Sequence, residues 1–468
     1  MIWIRLFPLL AQLRSVFPRQ KTFFVFVTTV VGMLVRPDLR GVTSFVRALS
    51  LKPAFYRSFL RLFRCAGIDV GTLSDAWTKV VFSAFDKAIF QVDGRPIIVA
   101  DGLKVPKEGR RMPAVKSLHQ ESSNNSKPEW IMGHMFQSIA VIVEGIGRLF
   151  AVPLSSRIHE GLRVSNLEQK TLIDKLSLEV LWLPIPKPFI LVADAYYCAG
   201  DLAKLLFEQG CHLISVARSN AVAFRSPSEE KKKRRGRKRK YGEKVKLKDF
   251  YGVNMKSAVV RAYGNEKIEV QFATEDLLWK SSGKIVRFVV TLFPGGKRAI
   301  LVSTDTTLAP ETIIEIYATR IRIEQSFKVQ VRCLGAYAYH FWTKAMKKIP
   351  RRSKGQHIHK EPEWVRRKMF ETLQACEIYV VCGIVAQGLL QYLSIFFAPE
   401  VSKQSLSWFR SQVVGASPTE EIVKAALRHA LPQFPRACAS LPGYAKFIAS
   451  KSAPVEVSAF CEGDLSTA

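Results

Sequence analysis

A chain of 468 residues has room for two to four domains and a large buried core. Its 48% hydrophobic and 23% charged residues exclude a disordered chain and mark a globular one. The 70 Lys+Arg against 39 Asp+Glu leave +31 at pH 7, a field that draws polyanions: nucleic acid first, acidic membrane surfaces second.

Residues 1–90 read as a helical, basic, DNA-binding region, with 13 Lys/Arg against Asp38, Asp69, Asp75 and Asp86. The apolar run TFFVFVTTVVGMLV (22–35) starts too far in for a secretory signal and is too short for a membrane span. Two amphipathic segments, DLRGVTSFVRAL and PAFYRSFLRLFR, are joined by SLK. That suits a helix-turn-helix reader of DNA, and equally a plain helical bundle with basic faces.

From 95 the pattern becomes alternating strand and helix. RPIIVADG (95–102) is a buried strand ending at Asp101, and MFQSIAVIVEG with GRLFAVPL forms a hairpin. SNLEQKTLIDKLSLEVL (165–181) is a helix with Ser165 as N-cap and Glu168 completing a capping box. KPFILVADAYY is a strand ending at Asp194; a short helix and the strand CHLISVARS follow. Three strands, a helix, a strand, a helix and a strand make an α/β core, and the order predicts a ribonuclease-H-like mixed sheet of order 3-2-1-4-5. Its final helix is delayed by a beta-rich insertion over 220–305, which opens on RSPSEEKKKRRGRKRKYGEKVKLK with 13 Lys/Arg against three Glu. Such a run is a solvated loop when free; contact with a phosphate backbone is its expected role, against a nuclear-targeting-like or purely solubilising one. The delayed helix is APETIIEIYATRIRIEQSFKVQVRCLG (309–335), closed by Gly335. A second basic loop (344–368, ten Lys/Arg), a long helix over 363–397 and a helical tail complete the chain. The apolar stretch 378–397 contains Gln387 and Gln391 and reads as a helix buried in a bundle, against the alternative of a membrane span. The expected divisions are 1–90, 91–219 with 306–340, 220–305, and 341–468. Eight cysteines without a CxxC pair argue against a zinc ribbon or disulfide scaffold and fit a reducing cytosol.

Three acids stand out by placement. In a 3-2-1-4-5 sheet the strands ending at Asp101 and Asp194 are neighbours, and Glu324 lies on the helix beside that edge. Singly, each has an ordinary reading: the aspartates as caps, Glu324 as a rung between Arg320 and Lys328. Together they suit metal. Mg²⁺ takes oxygen ligands, and two ions about 3.5–4 Å apart can hold the attacking and leaving oxygens of an in-line phosphoryl transfer. Other polar residues rank lower. Asp93 reads as a turn residue, Asp305 as the cap of the last helix, His134 as structural, and HIHK (357–360) as lacking zinc-ligand companions. Trp130, Trp342 and Trp364 flank basic loops; stacking on bases is open to them, but core packing is expected for at least two.

On these residues the chain resembles bacterial insertion-sequence transposases of the DDE type, the cut-and-paste group with the signature Tyr-x2-Arg-x3-Glu-x6-Lys. Tyr317, Arg320 and Glu324 fall at the signature spacing, while the lysine position holds Val331, with Lys328 and Arg332 as the nearby cations. The resemblance covers about residues 40–395. It implies Asp101, Asp194 and Glu324 as catalytic residues and ligands of two Mg²⁺, with Mn²⁺ able to substitute. It further implies DNA contact by Tyr317 and Arg320, with Lys328 or Arg332 in place of the lysine; the charge run adds Lys238, Arg239 and Lys240 as expected contacts. Expected partners are double-stranded DNA (terminal inverted repeats and target) and a second copy in a synaptic dimer, with no membrane, in the bacterial cytoplasm at the nucleoid. The rival reading is a domesticated or inactive relative that binds DNA without cutting it.

Overall fold

The computed structural model describes residues 1–39, 41–120, 128–167, 170–227, 239–262, 266–406 and 408–453. Helices α1 (Gln20–Val35), α2 (Tyr56–Phe63) and α3 (Val70–Ala84) lead into strand β1 (Arg95–Pro106), then β2 (Trp130–Gly145) and β3 (Arg148–Ile158). Helix α4 (Leu172–Trp182), strand β4 (Ile190–Ala193), helix α5 (Gly200–Glu208) and strand β5 (His212–Ala217) follow. β2 and β3 are antiparallel neighbours, as are β1 and β2, whereas β4 runs parallel to both β1 and β5. The spatial order is therefore β3–β2–β1–β4–β5.

The insertion adds β6 (Val222–Phe224), β7 (Lys244–Lys246), β8 (Lys256–Ala262), β9 (Glu266–Trp279), β10 (Lys284–Leu292) and β11 (Arg298–Ser303). β11 pairs antiparallel with β5, so the insertion prolongs the central sheet, to 13 strands among the described residues. The chain is thus a mixed α/β structure with one large mixed sheet and helical termini. The β9–β10 turn seats on the start of α5: a Cβ built on Gly200 would lie 2.2 Å from the backbone of Ser281.

Strand alternation sorts side chains between two faces with a period of two. Ile97, Val99, Ile190 and Val192 join the core on one face, while Ile98, Ala100, Leu191 and Ala193 join the other. The first face is covered by α6 (Pro310–Ala318) and α7 (Ile321–Lys328), through Ile313, Ile316, Ile323 and Phe327. The second carries α8 (Glu363–Phe396), buried without a break from Ala375 to Gln391, with α1 and α3 packed against it. Most of α8's apolar stretch lies inside the protein, although the helix is long and apolar enough to cross a membrane. Its glutamines have specific partners. Gln387 accepts from Ser326 Oγ (3.0 Å), and Gln391 donates to Glu420 (2.9 Å) and to the Ala151 carbonyl (3.1 Å). Glu420 opens helix α9 (Glu420–His429).

Several local expectations are corrected. The capping box of α4 is Thr171 with Asp174, not Ser165 with Glu168. Ser165 instead accepts from the Leu167 N–H, and Glu168 lies outside the described residues. The helix over 309–335 is not continuous. Bonds from Thr319 N–H to Ile316, Arg320 to Tyr317, Arg322 to Thr319 and Ile323 to Arg320 tighten it to i→i+3 spacing between α6 and α7. Past Lys328 it loosens into a π-helical turn, Val329–Leu334, ended by Gly335 at φ 62°. Asp305 caps no helix: it pairs with Arg95 at 2.5 Å and accepts from the Thr307 N–H and hydroxyl, while α6 starts after Ala309. Trp130, Trp342 and Trp364 are all about half exposed, so none of the three fills the core. The two short basic helices, Thr43–Ala48 and α2, bury Phe45, Phe59, Leu62 and Phe63 against the helical core.

Substituting Gly200→Ala is expected to cost roughly 1–3 kcal/mol, because the obstructing atoms are backbone and cannot rotate away. Urea melts would read the loss, and hydrogen exchange should rise over the β9–β10 turn. An unchanged midpoint would mean that the turn is not seated on α5.

Candidate active site

The strand phase that fills the two cores also places the acids. The parallel pairing of β1 with β4 ends at Ala100 opposite Ala193. Asp101 and Asp194 are the next residues on each, in phase with Val99 and Val192, so both belong to the face that α7 covers. Asp101 does not end its strand, however: β1 runs on to Pro106, and Asp101 sits at the point where one neighbour stops. Asp194 does end β4 and caps the following turn, accepting from the Tyr196 N–H at 3.0 Å. Asp194 is therefore a turn cap, and it also lies near enough to Asp101 for their charges to repel.

Glu324 follows the buried Ile323 on α7 and is partly exposed. Between Glu324 and Asp101 lies the Arg320 guanidinium, with Nη1 2.8 Å from Asp101 Oδ2 and Nη2 2.6 Å from Glu324 Oε1. The i,i+4 salt-bridge reading of Arg320 and Glu324 is thus correct as far as it goes, but the arginine also reaches across to the sheet. Lys328 is exposed and makes no ion pair among the described residues, so that rung is missing. Asp101 accepts from the Gly102 N–H through its other oxygen at 2.7 Å.

Burial pushes the Asp101 carboxyl up to about 7. Arg320 opposes the rise; Asp194 and Glu324 add to it by like-charge repulsion. Desolvation opposes the charge on Arg320, but Asp101, Tyr317 and Glu324 together hold its guanidinium well above the ordinary range. Burial raises the Tyr317 phenol too, with Arg320 beside it pulling the other way. Asp101, Asp194, Glu324, Tyr317 and Arg320 therefore form one electrostatically coupled group.

The donor set is the hard, oxygen-rich kind that divalent cations favour. The positive charge between Asp101 and Glu324 is supplied by Arg320, and among the described residues no three His, Cys, Asp or Glu side chains are gathered around one point. The residues fit a divalent ion in chemistry; taking one up between Asp101 and Glu324 requires the guanidinium to move.

The remaining predicted contacts lie apart from this group. Arg332 and Val331 are exposed on the π-helical turn. Lys240 lies beside Tyr241 at the root of the insertion loop, next to Arg239, while Lys238 is outside the described residues. His134 is fully buried, bonded to the Tyr339 hydroxyl (2.6 Å) and the Pro113 carbonyl (2.8 Å), which is a structural role. Asp93 sits in its turn at φ 49°. Sequence reasoning missed the polar chain behind the acids. Gln137 donates to the Tyr197 hydroxyl and the Leu172 carbonyl, both at 3.0 Å, and its amide oxygen meets His159. No linear spacing links those residues, so no motif could have shown them.

Residues 168–332 match the family model described as a transposase DDE domain. The match supports a transposase. It takes in Asp194, Tyr317, Arg320 and Glu324, and Asp101 lies before it. No curated protein matches the chain. Among solved structures, the piggyBac transposase synaptic complex with hairpin DNA, determined by cryo-EM, is similar at 13% identity, over 93% of this chain and 74% of that one, with a TM-score of 0.41. A likeness of that depth carries nothing over to this chain.

Arg320→Met leaves the buried Asp101 carboxyl without its cation. A stability loss of roughly 1.5–3 kcal/mol is expected, as for a hydrogen bond to a charged group. Asp101→Asn should cancel most of it in a double-mutant cycle. Strictly additive losses would show that the pair is not coupled.

Proposed function

We propose that the protein is a DDE transposase of the bacterial insertion-sequence kind, which cleaves element-end DNA and joins it to a target by phosphodiester hydrolysis and transesterification. The observation that carries this reading is the arrangement of three acids at one face of the sheet: Arg320 joins Asp101 to Glu324 of α7, Asp194 acts on Asp101 by like-charge repulsion, and Asp194 and Glu324 lie inside the matched segment. The order β3–β2–β1–β4–β5, with α7 against it, supports a ribonuclease-H-like core over 91–219 and 306–340, interrupted by the insertion at 220–305. Residues 1–90 and 341–468 would supply DNA-binding and helical framing regions.

In this reading Asp101, Asp194 and Glu324 hold two Mg²⁺, or Mn²⁺. Bound there, the ions would activate the attacking oxygen and stabilise the leaving one. The chain's own part is positioning. Arg320, displaced from the carboxylates, is free to meet a phosphate beside them, and Tyr317 braces it from one turn back. The substrate is double-stranded DNA with terminal inverted repeats, held by two copies in a synaptic complex, in the cytoplasm.

The missing signature lysine has a physical answer in the backbone. A π-helical turn carries one more residue than an α-helical turn. Because that turn begins at Val329, the angular position that Val331 would hold in an unbroken helix passes toward Arg332. Arg332 is therefore the cation we assign to that role, rather than Lys328.

The test uses DNA carrying the element's end, with Mg²⁺, and the wild type beside Asp101→Ala, Asp194→Ala, Glu324→Ala and Arg332→Ala. The three acid variants should bind the DNA and fail to nick it, by a factor of at least about 10³ if each group is essential to the chemistry. Arg332→Ala should weaken binding and reduce the salt slope by about one phosphate contact. Full cleavage by any acid variant removes that residue from the triad, and a wild type that neither binds nor cuts ends the reading.

A further inference from the structure

Beside the acids, on the far side of Tyr196, lies a cavity of about 480 Å³ that no sequence motif marks. Five chain segments line it: Lys116, the stretch just after β3, the start of α4, Tyr196 and the second basic loop. The loop is held there by strand pairing, Gln356 with Leu162 and His357 with Arg163. The Gln356 side chain adds bonds to the Ala114 N–H (3.1 Å) and the Val115 carbonyl (3.0 Å). Gly161 makes the closeness possible, at φ 96° with the Ala114 backbone packed where a Cβ would stand. The cavity is therefore shaped by the fold rather than by chance contact of surface side chains.

Its lining is strongly one-signed. Lys116, Arg163, Lys170, Lys175 and Lys354 face it, against Glu160 as the acid among the described lining residues. Glu160 is already paired with Lys116 at 3.2 Å, and Lys175 donates to the His159 carbonyl at 2.9 Å. Arg163, Lys170 and Lys354 make no ion pair among the described residues. Burial holds the lining His159 imidazole down at about 3, so it is neutral at pH 7 and adds no charge. Like charges in a concave site repel each other and focus the field outward, which makes an anion the complementary occupant. The volume suits a nucleotide-sized group.

The cavity is also wired to the candidate active site. Tyr196, whose ring is half exposed at the rim, donates its backbone N–H to Asp194. On the opposite side Lys116 and Lys354 are shared with a second hollow of about 610 Å³, which Arg352 and the exposed Trp130 also line. Cations interleaved with exposed aromatic rings are the pattern that follows a nucleic-acid strand.

We propose that this cavity binds backbone phosphates of the DNA strand within a few nucleotides of the bond held at Asp101 and Asp194, with Arg163, Lys170 and Lys354 as the contacting cations. The inference rests on the transposase reading and adds to it a substrate path: the strand leaves the acids past Tyr196 and continues toward Trp130.

The experiment compares wild type with the triple variant Arg163→Gln/Lys170→Gln/Lys354→Gln, using end DNA at several salt concentrations and ethylation interference to map contacted phosphates. All three side chains lie at the surface of the cavity, so the melting temperature should be unchanged. Each lost phosphate contact should make the slope of log K against log salt shallower by about 0.9. The interference signal should vanish at phosphates next to the cleaved bond and persist elsewhere. Wild-type binding and cleavage with slope and interference pattern unchanged in the variant overturns the cavity and leaves the transposase reading standing. A wild type that does not bind DNA fails both. Calorimetry with inorganic phosphate separates the sources of the anion: tight uptake by wild type, lost in the variant without any change in DNA slope, assigns the cavity to a free anion and overturns the proposal.

Discussion

Arg320 satisfies two carboxylates that belong to different elements, one on the sheet and one on the helix above it. Three acids of like sign on one partly buried face would repel each other, and burial already penalises the charge on Asp101. A cation must stand among them, whether it is carried by the chain or taken from solution. The tightened backbone between α6 and α7 sets where the chain's own cation stands. With i→i+3 bonding through Thr319 and Arg320, the residue at the junction is held one turn behind Glu324 and faces the end of the β1–β4 pairing.

That arrangement needs α7 to be held from behind, and the helical termini do this. Ser326 on α7 donates to Gln387 on α8, and Gln387 and Gln391 share Glu420 of α9. At the other end of the same helix, the buried Arg36, just past α1, donates to the carbonyls of Leu334 and Gly335. Lys424 of α9 reaches the Cys333 carbonyl. These carbonyls end a helix and would otherwise lack partners, and cations are the favoured groups there. The N-terminal and C-terminal helices thus fix the position of Glu324 without touching it.

How much of this was legible follows from the physics of each feature. Asp101 and Asp194 could be found because strand phase is local: two residues past Val99 or Val192 is the same face, whatever the rest of the chain does. The long helix with its two glutamines was legible for the same reason, since polar groups inside an apolar run demand partners. The break at Thr319 and the π-helical turn at Val329 were not, because no glycine or proline marks either. The capping box was misplaced by six residues because two Ser/Thr-x-x-acid patterns occur in tandem, and only packing of Leu176 and Val180 selects the second. The three tryptophans, of which at least two were expected in the core, flank basic loops and stay about half exposed.

A net +31 does not by itself say where an anion goes, because most of those cations are spread over an open surface where salt screens them. What distinguishes positions is concavity and proximity to negative charge. Arg320 is paired with carboxylates; Arg163, Lys170 and Lys354, a short step past Tyr196, make no ion pair among the described residues. A polyanion drawn in by the overall field would be repelled by bare acids, and it gains most where cations without an acid partner among the described residues lie next to acids whose charge is partly offset by an arginine. The carboxylates bonded to Arg320 and the positive cavity past Tyr196 are neighbouring parts of one electrostatic arrangement, in which a phosphate seated in the cavity, as proposed, would be spared part of the repulsion from the acids.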